Sequence, residues 1–230
     1  MTSTPLYDQF LQFPLFMGLS RDDLSQIAGF TKFDFQKIAS NTLFIKEGSP
    51  CTHLYFLLSG SVLAETHSDD GSYRLTECLM APMIIQPEAI FGYQQRYAHS
   101  FRSVSQVGLL RIERQEIVRL TEQYLIFRIN LLNLLSTKTQ KLLHEPWRRR
   151  PETLEERIIQ FVSQRCIHPA GSKTLYIQII QLAAELGDSR LNISRALNRM
   201  QRSGLVTLHR GRIDIPQMER LKSVSYKNIT

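Results

Sequence analysis

The chain has 230 residues, of which 43% are hydrophobic and 21% are charged, so it can bury a sizeable core and disorder is not expected. Its formal charge of +7 is unevenly distributed. Residues 1–145 carry 13 Lys+Arg and 14 Asp+Glu, whereas residues 146–230 carry 15 and 7. This asymmetry favours a neutral domain joined to one that binds a polyanion; a solvated basic surface without a partner is the alternative.

The N-terminus, MTSTPLYDQF, lacks the basic start and apolar run of a secretory signal. No stretch reaches the ~18 uncharged apolar residues of a membrane span. The three cysteines, Cys51, Cys78 and Cys166, are widely spaced and form neither a disulfide framework nor a Cys-x-x-Cys metal pair. These features predict a cytoplasmic protein with no membrane contact.

Residues 10–30 contain the start signal of a helix. Ser20 can accept hydrogen bonds from free backbone amides, and Asp22 and Asp23 suit the positive end of the helix. One or two short helices are therefore expected before residue 31.

From Thr42 onward, short runs rich in apolar, aromatic or β-branched residues alternate with turn residues, among them the pair Asp70-Gly71. This pattern predicts a β-sandwich or barrel. The predicted strands are 43–45, 53–58, 61–65, 73–80, 83–85 and 101–112.

A helical region begins at Glu113 and contains neither Gly nor Pro until Pro146. It carries two apolar stripes, so it needs two partners: we expect the barrel to be one and a twin helix of a second chain to be the other. A helix buried wholly within one chain is the alternative. The residues assigned to the dimer contact are Tyr124, Phe127, Leu131 and Leu134.

The segment EPWRRRP, residues 145–151, reads as a hinge, because two prolines interrupt the helical backbone and three arginines repel one another. Thr153 and Glu156 then form a capping-box pattern that opens a new helix, predicted to run to about Arg165. The predicted domains are thus a sensor barrel (1–113), a dimerisation helix with hinge (114–150) and a C-terminal domain (151–230).

Residues 178–203 predict two short helices joined by a tight turn. Ile179, Leu182 and Leu186 lie on one apolar face, Gly187 can end the first helix, and Ser189 can cap the second. Two helices in this arrangement form a helix-turn-helix. The outward face of the second helix carries Arg190, Asn192, Arg195, Arg199 and Arg202.

Two predicted strands, 205–208 and 212–215, follow around His209-Arg210-Gly211 and form a wing with a basic tip. A helix with an arginine-rich outer face can enter the major groove of DNA with its first residues toward the base edges. A small helical bundle with a basic exterior is the alternative.

Together these blocks resemble the cyclic-AMP receptor protein / fumarate-nitrate regulator (CRP/FNR) family of bacterial transcription factors. The resemblance covers nearly the whole chain, including LFIKEGSPCTHLYFLLSGSV, the helix from about 114 to 145, and LGDSRLNISRALNRM with its wing. It implies an α+β fold with a double-stranded β-helix (jelly-roll) sensor, a long dimerisation helix and a winged helix-turn-helix. It also implies a homodimer on a two-fold symmetric operator of double-stranded DNA, with RNA polymerase as a further partner.

The resemblance places Ser189, Arg190, Ser194 and Arg195 at positions that contact DNA. Arginine suits guanine, whose two acceptors match its fork, and Ser189 is expected to bind phosphate. A purely phosphate-binding role is the alternative for Arg190 and Arg195. At Leu191 many relatives have a glutamate that accepts from cytosine, so the operator should differ there, with a thymine methyl favoured. The remaining predicted contacts are Asn192, Arg199, Thr207, His209, Arg210 and Arg212.

Cyclic-nucleotide-binding relatives hold the phosphate with a Gly-Glu pair followed by an Arg-Ser or Arg-Thr step. Gln86-Pro87 and Tyr97-Ala98 stand at those positions here, so the sequence argues against cyclic AMP. Glu88 and Arg96 are each one residue out of register and leave a shifted site open. The candidate effector contacts are Glu88, Arg96, Tyr97 and His99.

Other sensor chemistries receive little support. An iron–sulfur cluster needs about four cysteine ligands, and the chain has three. Haem needs an axial ligand, for which His53, His67, His99 and His144 are the candidates. No metal site is predicted, and a small apolar or anionic metabolite, or no effector, stays open.

No catalytic residues are assigned, because the sequence has no Gly-x-Ser-x-Gly elbow, no phosphate-binding Gly-rich loop and no His-Glu-x-x-His. The second hypothesis is a ligand-binding signalling subunit whose C-terminal domain docks a protein. Docking surfaces favour apolar anchors, whereas the predicted outer helix face offers arginines. The sequence therefore favours a DNA-binding transcription regulator that is not an enzyme.

Overall fold

A computed structural model describes residues 6–147 and 149–227; Arg148 of the predicted hinge lies outside them. The helices of the described part are α1 (Leu6–Phe10), α2 (Arg21–Phe30), α3 (Arg114–Gln123), α4 (Leu125–His144), α5 (Leu154–Arg165), α6 (Ile179–Leu186), α7 (Arg190–Arg202) and α8 (Met218–Lys227). Short 3-10 turns lie at Pro14–Phe16, Pro87–Ala89 and Glu145–Trp147.

The strands are β1 (Phe33–Ile38), β2 (Leu43–Ile45), β3 (His53–Ser59), β4 (Ser61–His67), β5 (Arg74–Met80), β6 (Met83–Ile85), β7 (Ser100–Ser103), β8 (Val107–Glu113), β9 (Lys173–Tyr176), β10 (Thr207–His209) and β11 (Arg212–Ile215). They form a four-stranded sheet of order β1-β8-β3-β6 and a seven-stranded sheet of order β10-β11-β9-β5-β4-β7-β2. The N-terminal strands are jelly-roll-like and do not close into a barrel. The predicted strand 101–112 is divided into β7 and β8, and β1 and β9 were not predicted.

Of the described residues, 6–62, 80–98 and 102–147 form a first compact unit, and 63–79, 99–101 and 149–227 form a second. The second unit therefore contains most of the hairpin β4–β5 together with the C-terminal helices and wing. This grouping crosses the sequence-based boundaries at 113 and 150, which remain a prediction.

Aromatic rings fill the core of the first unit. Phe16 lies between Phe10, at 4.7 Å between ring centroids, and Phe127, at 5.5 Å. Phe13 packs edge-on against Phe56 of β3 at 5.1 Å. Helix α2, which follows these residues in the chain, starts as predicted. The Ser20 hydroxyl accepts from the Asp23 amide, and the Asp23 carboxylate accepts from the Ser20 amide.

The long helical region predicted from Glu113 is interrupted at Tyr124, whose backbone is extended with φ −120° and ψ 101°. No glycine or proline marks this break, so its cause is tertiary packing. Ile117 and Leu120 of α3 are buried, and the Asn130 amide of α4 donates to the carbonyls of Leu15 and Met17. The break lets both helices present their buried faces to the first unit.

Phe127 and Leu131, which the sequence assigns to the dimer contact, have packing partners within the chain itself, and their role in a dimer remains a prediction. Both side chains are buried inside their own chain, where Phe127 packs on the ring of Phe16. Tyr124 and Leu134 are half-buried, and their role in a dimer remains a prediction. The exposed stripe of α4 is the other one predicted from the sequence, with Leu125, Ile126, Ile129 and Leu132.

A separate core holds the second unit together. It is formed by apolar side chains of α5, α6, α7, α8 and the wing, with Leu75 of β5 and Leu175 of β9 among them. Within the described residues, no helix combines the length and apolar character needed to cross a membrane.

Candidate DNA interface and sensor residues

The turn between α6 and α7 is built as the sequence predicts. Gly187 has φ +58°, a left-handed conformation that glycine adopts without strain, and it ends α6. The Asp188 amide then donates to the Ala183 carbonyl. Ser189 caps α7 by accepting from the Asn192 amide at 3.1 Å. The local sequence thus fixes the angle at which α7 leaves the turn.

Helix α7 has one buried and one exposed face. Ile193, Ala196, Leu197 and Met200 are buried in the core of the second unit. The opposite face bears exposed side chains of Ser189, Arg190, Leu191, Asn192, Arg195 and Arg199, with Ser194 half-buried. The structure therefore places the predicted base-contacting residues on one accessible surface, which we call the reading face.

A chain of polar contacts supports the start of this surface. Arg157 of α5 donates to the carbonyl of Leu186 and, at 3.1 Å, to the Asp188 carboxylate. The other Asp188 oxygen accepts from the Asn192 side-chain amide at 2.9 Å. The hydrogen bonds from Asn192 and Ser189 hold the pKa of Asp188 below its ordinary value, so this carboxylate stays ionised at neutral pH.

Sequence reasoning missed Arg157 and Asp188. A signal for Asp188 was present, because an acidic residue next to an N-cap lies at the positive end of the helix. Arg157 had no local signal, since its partners lie about thirty positions later. Arg199, predicted as a DNA contact, also donates to the Glu155 carboxylate of α5 at 2.5 Å. Both arginine contacts join α5 to the helix-turn-helix.

The wing is the antiparallel pair β10–β11, in which His209 is opposite Arg212. Gly211 has φ +71° in its turn, next to exposed Arg210. Asp214 lies 3.0 Å from both the His209 ring and the Arg212 guanidinium and accepts from the Thr174 hydroxyl. Asp214 therefore contacts two of the four predicted wing residues, His209 and Arg212.

Three of the four candidate effector residues lie in the first unit and have structural partners. The Glu88 carboxylate forms an ion pair with Lys138 of α4 at 2.5 Å. Arg96 donates to the Gly48 carbonyl at 2.7 Å. Tyr97 is buried and donates its hydroxyl proton to the His53 carbonyl at 2.7 Å. Burial raises the pKa of Tyr97, so its phenol remains neutral.

The fourth candidate, His99, belongs to the second unit, where its Nδ1 lies 2.6 Å from the Thr66 hydroxyl. Two residues before Glu88, Gln86 is buried with φ +44°, and its Oε1 has no hydrogen-bond partner among the residues that the structure describes. Within residues 6–147 and 149–227, no three His, Cys, Asp or Glu side chains converge as metal ligands.

A jelly-roll-like sensor joined to a winged helix-turn-helix with a basic reading face defines a class, the DNA-binding transcription regulators with an N-terminal sensor. The family model for the cyclic nucleotide-binding domain matches residues 35–124. The model for the Crp-like helix-turn-helix domain matches residues 156–224. The chain belongs to the CRP/FNR family of transcription regulators, which are DNA-binding and typically homodimeric.

Solved structures share this fold. The Thermus thermophilus catabolite activator protein is 20% identical, with a TM-score of 0.50 over 94% of this chain and 99% of that one. A CRP/FNR-family regulator from Eubacterium rectale is 21% identical, with a TM-score of 0.54 over the same shares. The sensor domain of the Pseudomonas aeruginosa regulator DNR is 21% identical, with a TM-score of 0.50 over 64% of this chain and 93% of that domain. No curated protein sequence matches the chain.

Proposed function

We propose that this protein is a homodimeric, sequence-specific regulator whose reading face enters the major groove, and whose sensor controls DNA binding allosterically without binding cyclic AMP. The observation that carries the proposal is the reading face itself. Arg190 and Arg195 are exposed there, on a helix whose opposite face is buried in the core. A basic helix fixed in this manner presents guanidinium groups to base edges.

The residues of the reading face have distinct roles. Arg190 and Arg195 match the paired acceptors of guanine, and Ser189 at the N-cap binds a phosphate, which positions the helix without specifying sequence. Leu191 contacts a thymine methyl. The wing residues Thr207, His209, Arg210 and Arg212 contact the sugar-phosphate backbone.

The cyclic phosphate of a nucleotide does not fit the sensor residues present. Pro87 has no N–H to donate to a phosphate oxygen, and it stands where relatives have the glutamate of their Gly-Glu pair. Arg96, which lies one residue from the position of the family's phosphate-binding arginine, donates instead to the Gly48 carbonyl. Glu88 is paired with Lys138. Isothermal titration with cyclic AMP is expected to give no binding heat; binding in the micromolar range would refute this part of the proposal.

The effector itself stays open between haem, a small metabolite and none. An absorption spectrum of the protein as purified separates haem from the others. RNA polymerase is the further partner that the family resemblance implies.

The DNA proposal is tested by selecting duplexes from a random library with the wild-type protein and measuring fluorescence anisotropy on the selected operator. Affinity should fall steeply with salt, because each phosphate contact releases about one counterion. Arg195→Ala should reduce discrimination between operator and random duplex by about tenfold or more while the dimer stays intact.

Arg220→Ala, which removes an exposed arginine of α8, is the charge-matched control and should retain discrimination. Selection that yields no common sequence would refute specific regulation and favour the docking alternative.

A further inference from the structure

Strand β5 of the sensor is also a strand of the sheet in the second unit. It pairs antiparallel with β9, with Arg74 opposite Tyr176, Thr76 opposite Thr174 and Glu77 opposite Lys173. On its other side β9 pairs with β11 of the wing. The sensor hairpin, defined here as residues 63–79, thus continues the sheet of the wing.

Side chains reinforce this pairing. Leu75 is buried in the same apolar core as Leu175 and the helices of the second unit. The Tyr73 ring lies 5.5 Å from that of Phe161 in α5, and its hydroxyl accepts from Arg165 at 2.9 Å. Buried apolar contacts of this kind resist separation because water would have to enter the core.

Glu77 and Lys173 form an ion pair that is sealed from solvent. Their side chains are 1% and 0% exposed, and Lys173 Nζ lies 2.8 Å from the Glu77 carboxylate. The same carboxylate accepts from the amides of Ile167 at 2.6 Å and His168 at 3.2 Å. Lys173 also donates to the Ala170 carbonyl at 2.8 Å. Both charges are therefore paired and hydrogen-bonded.

A sealed pair of this kind makes separation of β5 from β9 unfavourable. If the hairpin moved away, Lys173 would lose its counter-charge and two backbone amides would lose their acceptor. An uncompensated buried charge strongly destabilises a protein. The hairpin must then move as part of the second unit. Chain continuity at Val62 and Met80 attaches both of its ends to the first unit.

The anchored segment leads directly to the reading face. Ile167 and His168 follow the C-terminus of α5, so Glu77 fixes where that helix ends. From α5, Arg157 contacts Leu186 and Asp188 in the turn before α7, and Glu155 contacts Arg199 on α7 itself. A displacement of the hairpin is thereby transmitted through α5 to α7.

We propose that the sensor hairpin, anchored by the buried Glu77–Lys173 pair, is a permanent strand of the DNA-binding unit and carries the coupling between sensor and reading face. This inference rests on the proposed function, since it assumes that α7 binds DNA. It assigns the coupling to a shared sheet in addition to the hinge that the sequence predicts at residues 145–151.

Hydrogen–deuterium exchange of the full-length dimer tests the anchor. Amides of β5 and β9 should exchange together in the wild type, and Glu77→Gln should accelerate both by at least about tenfold, because Lys173 loses its counter-charge. The double variant Glu77→Gln/Lys173→Met should return towards wild-type protection, since it removes both buried charges. Glu65→Gln, which breaks the partly exposed contact with Arg74 on the same hairpin, is the control and should change neither strand.

Coupling is tested by adding the selected operator duplex, because allosteric coupling is reciprocal. In the wild type, the operator should protect α7 and also change exchange in β3 and β6 of the first unit. Glu77→Gln should retain protection of α7 but lose the response of β3 and β6. A purely structural role would instead reduce both responses in proportion.

Independent exchange of β5 and β9 in the wild type, or an unchanged response of β3 and β6 in Glu77→Gln, would overturn the inference. Failure of the operator to protect α7 in the wild type would instead refute the proposed function. In that case the joint exchange of β5 and β9 would still report on the anchor.

Discussion

Leu191 is an apolar side chain on a surface otherwise dominated by polar and basic groups. It is 58% exposed and lies between Arg190 and Asn192 at the start of the reading helix. An exposed leucine at this place stabilises no core, so we propose that it contacts DNA. An apolar group meets the C5-methyl of thymine, whereas a carboxylate accepts from the N4 amine of cytosine.

Leu191→Glu should therefore switch the preferred base at one operator position to cytosine. The expected change in discrimination there is about 1–3 kcal/mol, or roughly 5- to 150-fold. Deep sequencing of duplexes selected with each protein measures it position by position. Leu191→Ala is the matched control and should weaken the thymine preference without creating a cytosine preference. A cytosine preference in neither variant would place Leu191 outside the groove.

At the residue scale, side chains with local partners were predictable. Ser20, Thr153, Gly187 and Ser189 take the capping and turn roles that their positions along the chain indicate. Glu77 and Lys173 were not predictable, because nearly a hundred residues separate them and each alone reads as a surface charge. Long-range pairing of strands, which the sequence does not encode locally, is what buries both.

At the scale of secondary-structure elements, Arg157 connects α5 to both the end of α6 and the start of α7. Arg157→Lys keeps the charge but replaces a planar fork with a single ammonium, which cannot reach two acceptors in the same geometry. We expect a loss of about 1–2 kcal/mol in the free energy of unfolding, equivalent to a fall in Tm of roughly 3–6 °C. Differential scanning calorimetry measures this change.

The same variant should bind the operator several-fold more weakly, because Asp188 no longer holds Asn192 in place. Arg128→Lys, at an exposed position of α4, provides the matched control. Equal Tm and equal affinity in Arg157→Lys and wild type would show that the three helices keep their geometry without this contact.

The tip of the sensor hairpin carries a pH-sensitive contribution to stability. Hydrogen bonds from Ser68 and Ser72 lower the pKa of Asp70 from 3.8 to about 2. Because the folded-state pKa is depressed, the contribution is fully present above the unfolded-state value and is lost as the pH falls towards about 2. The stability difference between wild type and Asp70→Asn should thus be present at pH 7 and shrink progressively below about pH 4.

Urea unfolding of both proteins at several pH values measures this difference. Asp69→Asn, on the same turn and with the same change in charge, is the control. A difference between wild type and Asp70→Asn that stays constant from pH 7 to pH 3 would contradict the assignment to the carboxylate.

Elements with strong periodicity or clear turn signals were foreseen, and those defined by tertiary contacts were not. Helices α5, α6 and α7 and the wing lie where capping residues and glycine turns predict them. The break at Tyr124 has no sequence signal, because packing of Phe127 and Asn130 against the N-terminal segment causes it. Strand β9 was missed since its four residues acquire strand geometry only by pairing with β5 and β11.

At the scale of the whole molecule, helix α4 has two apolar faces, of which one is buried within the chain and the other is exposed. Phe127 and Leu131 are buried within the chain. Leu125, Ile129 and Leu132, at spacings of four and three, are 57%, 45% and 56% exposed. Such a stripe on a helix is typical of a seam between two helices of separate chains. A homodimer would cover it and bring two reading faces to a two-fold symmetric operator.

Substitutions on the exposed face should therefore change the oligomeric state, and substitutions on the buried face should change the stability of the fold. Leu132→Glu places a charge in the seam and should yield a folded monomer that binds the operator at least about a hundredfold more weakly, because one half-site contact is lost. Phe127→Ala opens a cavity in the core and should lower the free energy of unfolding by about 3–5 kcal/mol while the protein still dimerises. Sedimentation velocity reports the oligomeric state, and urea unfolding reports the stability.

Val104→Lys, at an exposed apolar position outside α4, is the control and should leave both the oligomeric state and the stability unchanged. A Leu132→Glu protein that sediments as a dimer would show that the chains associate through another surface.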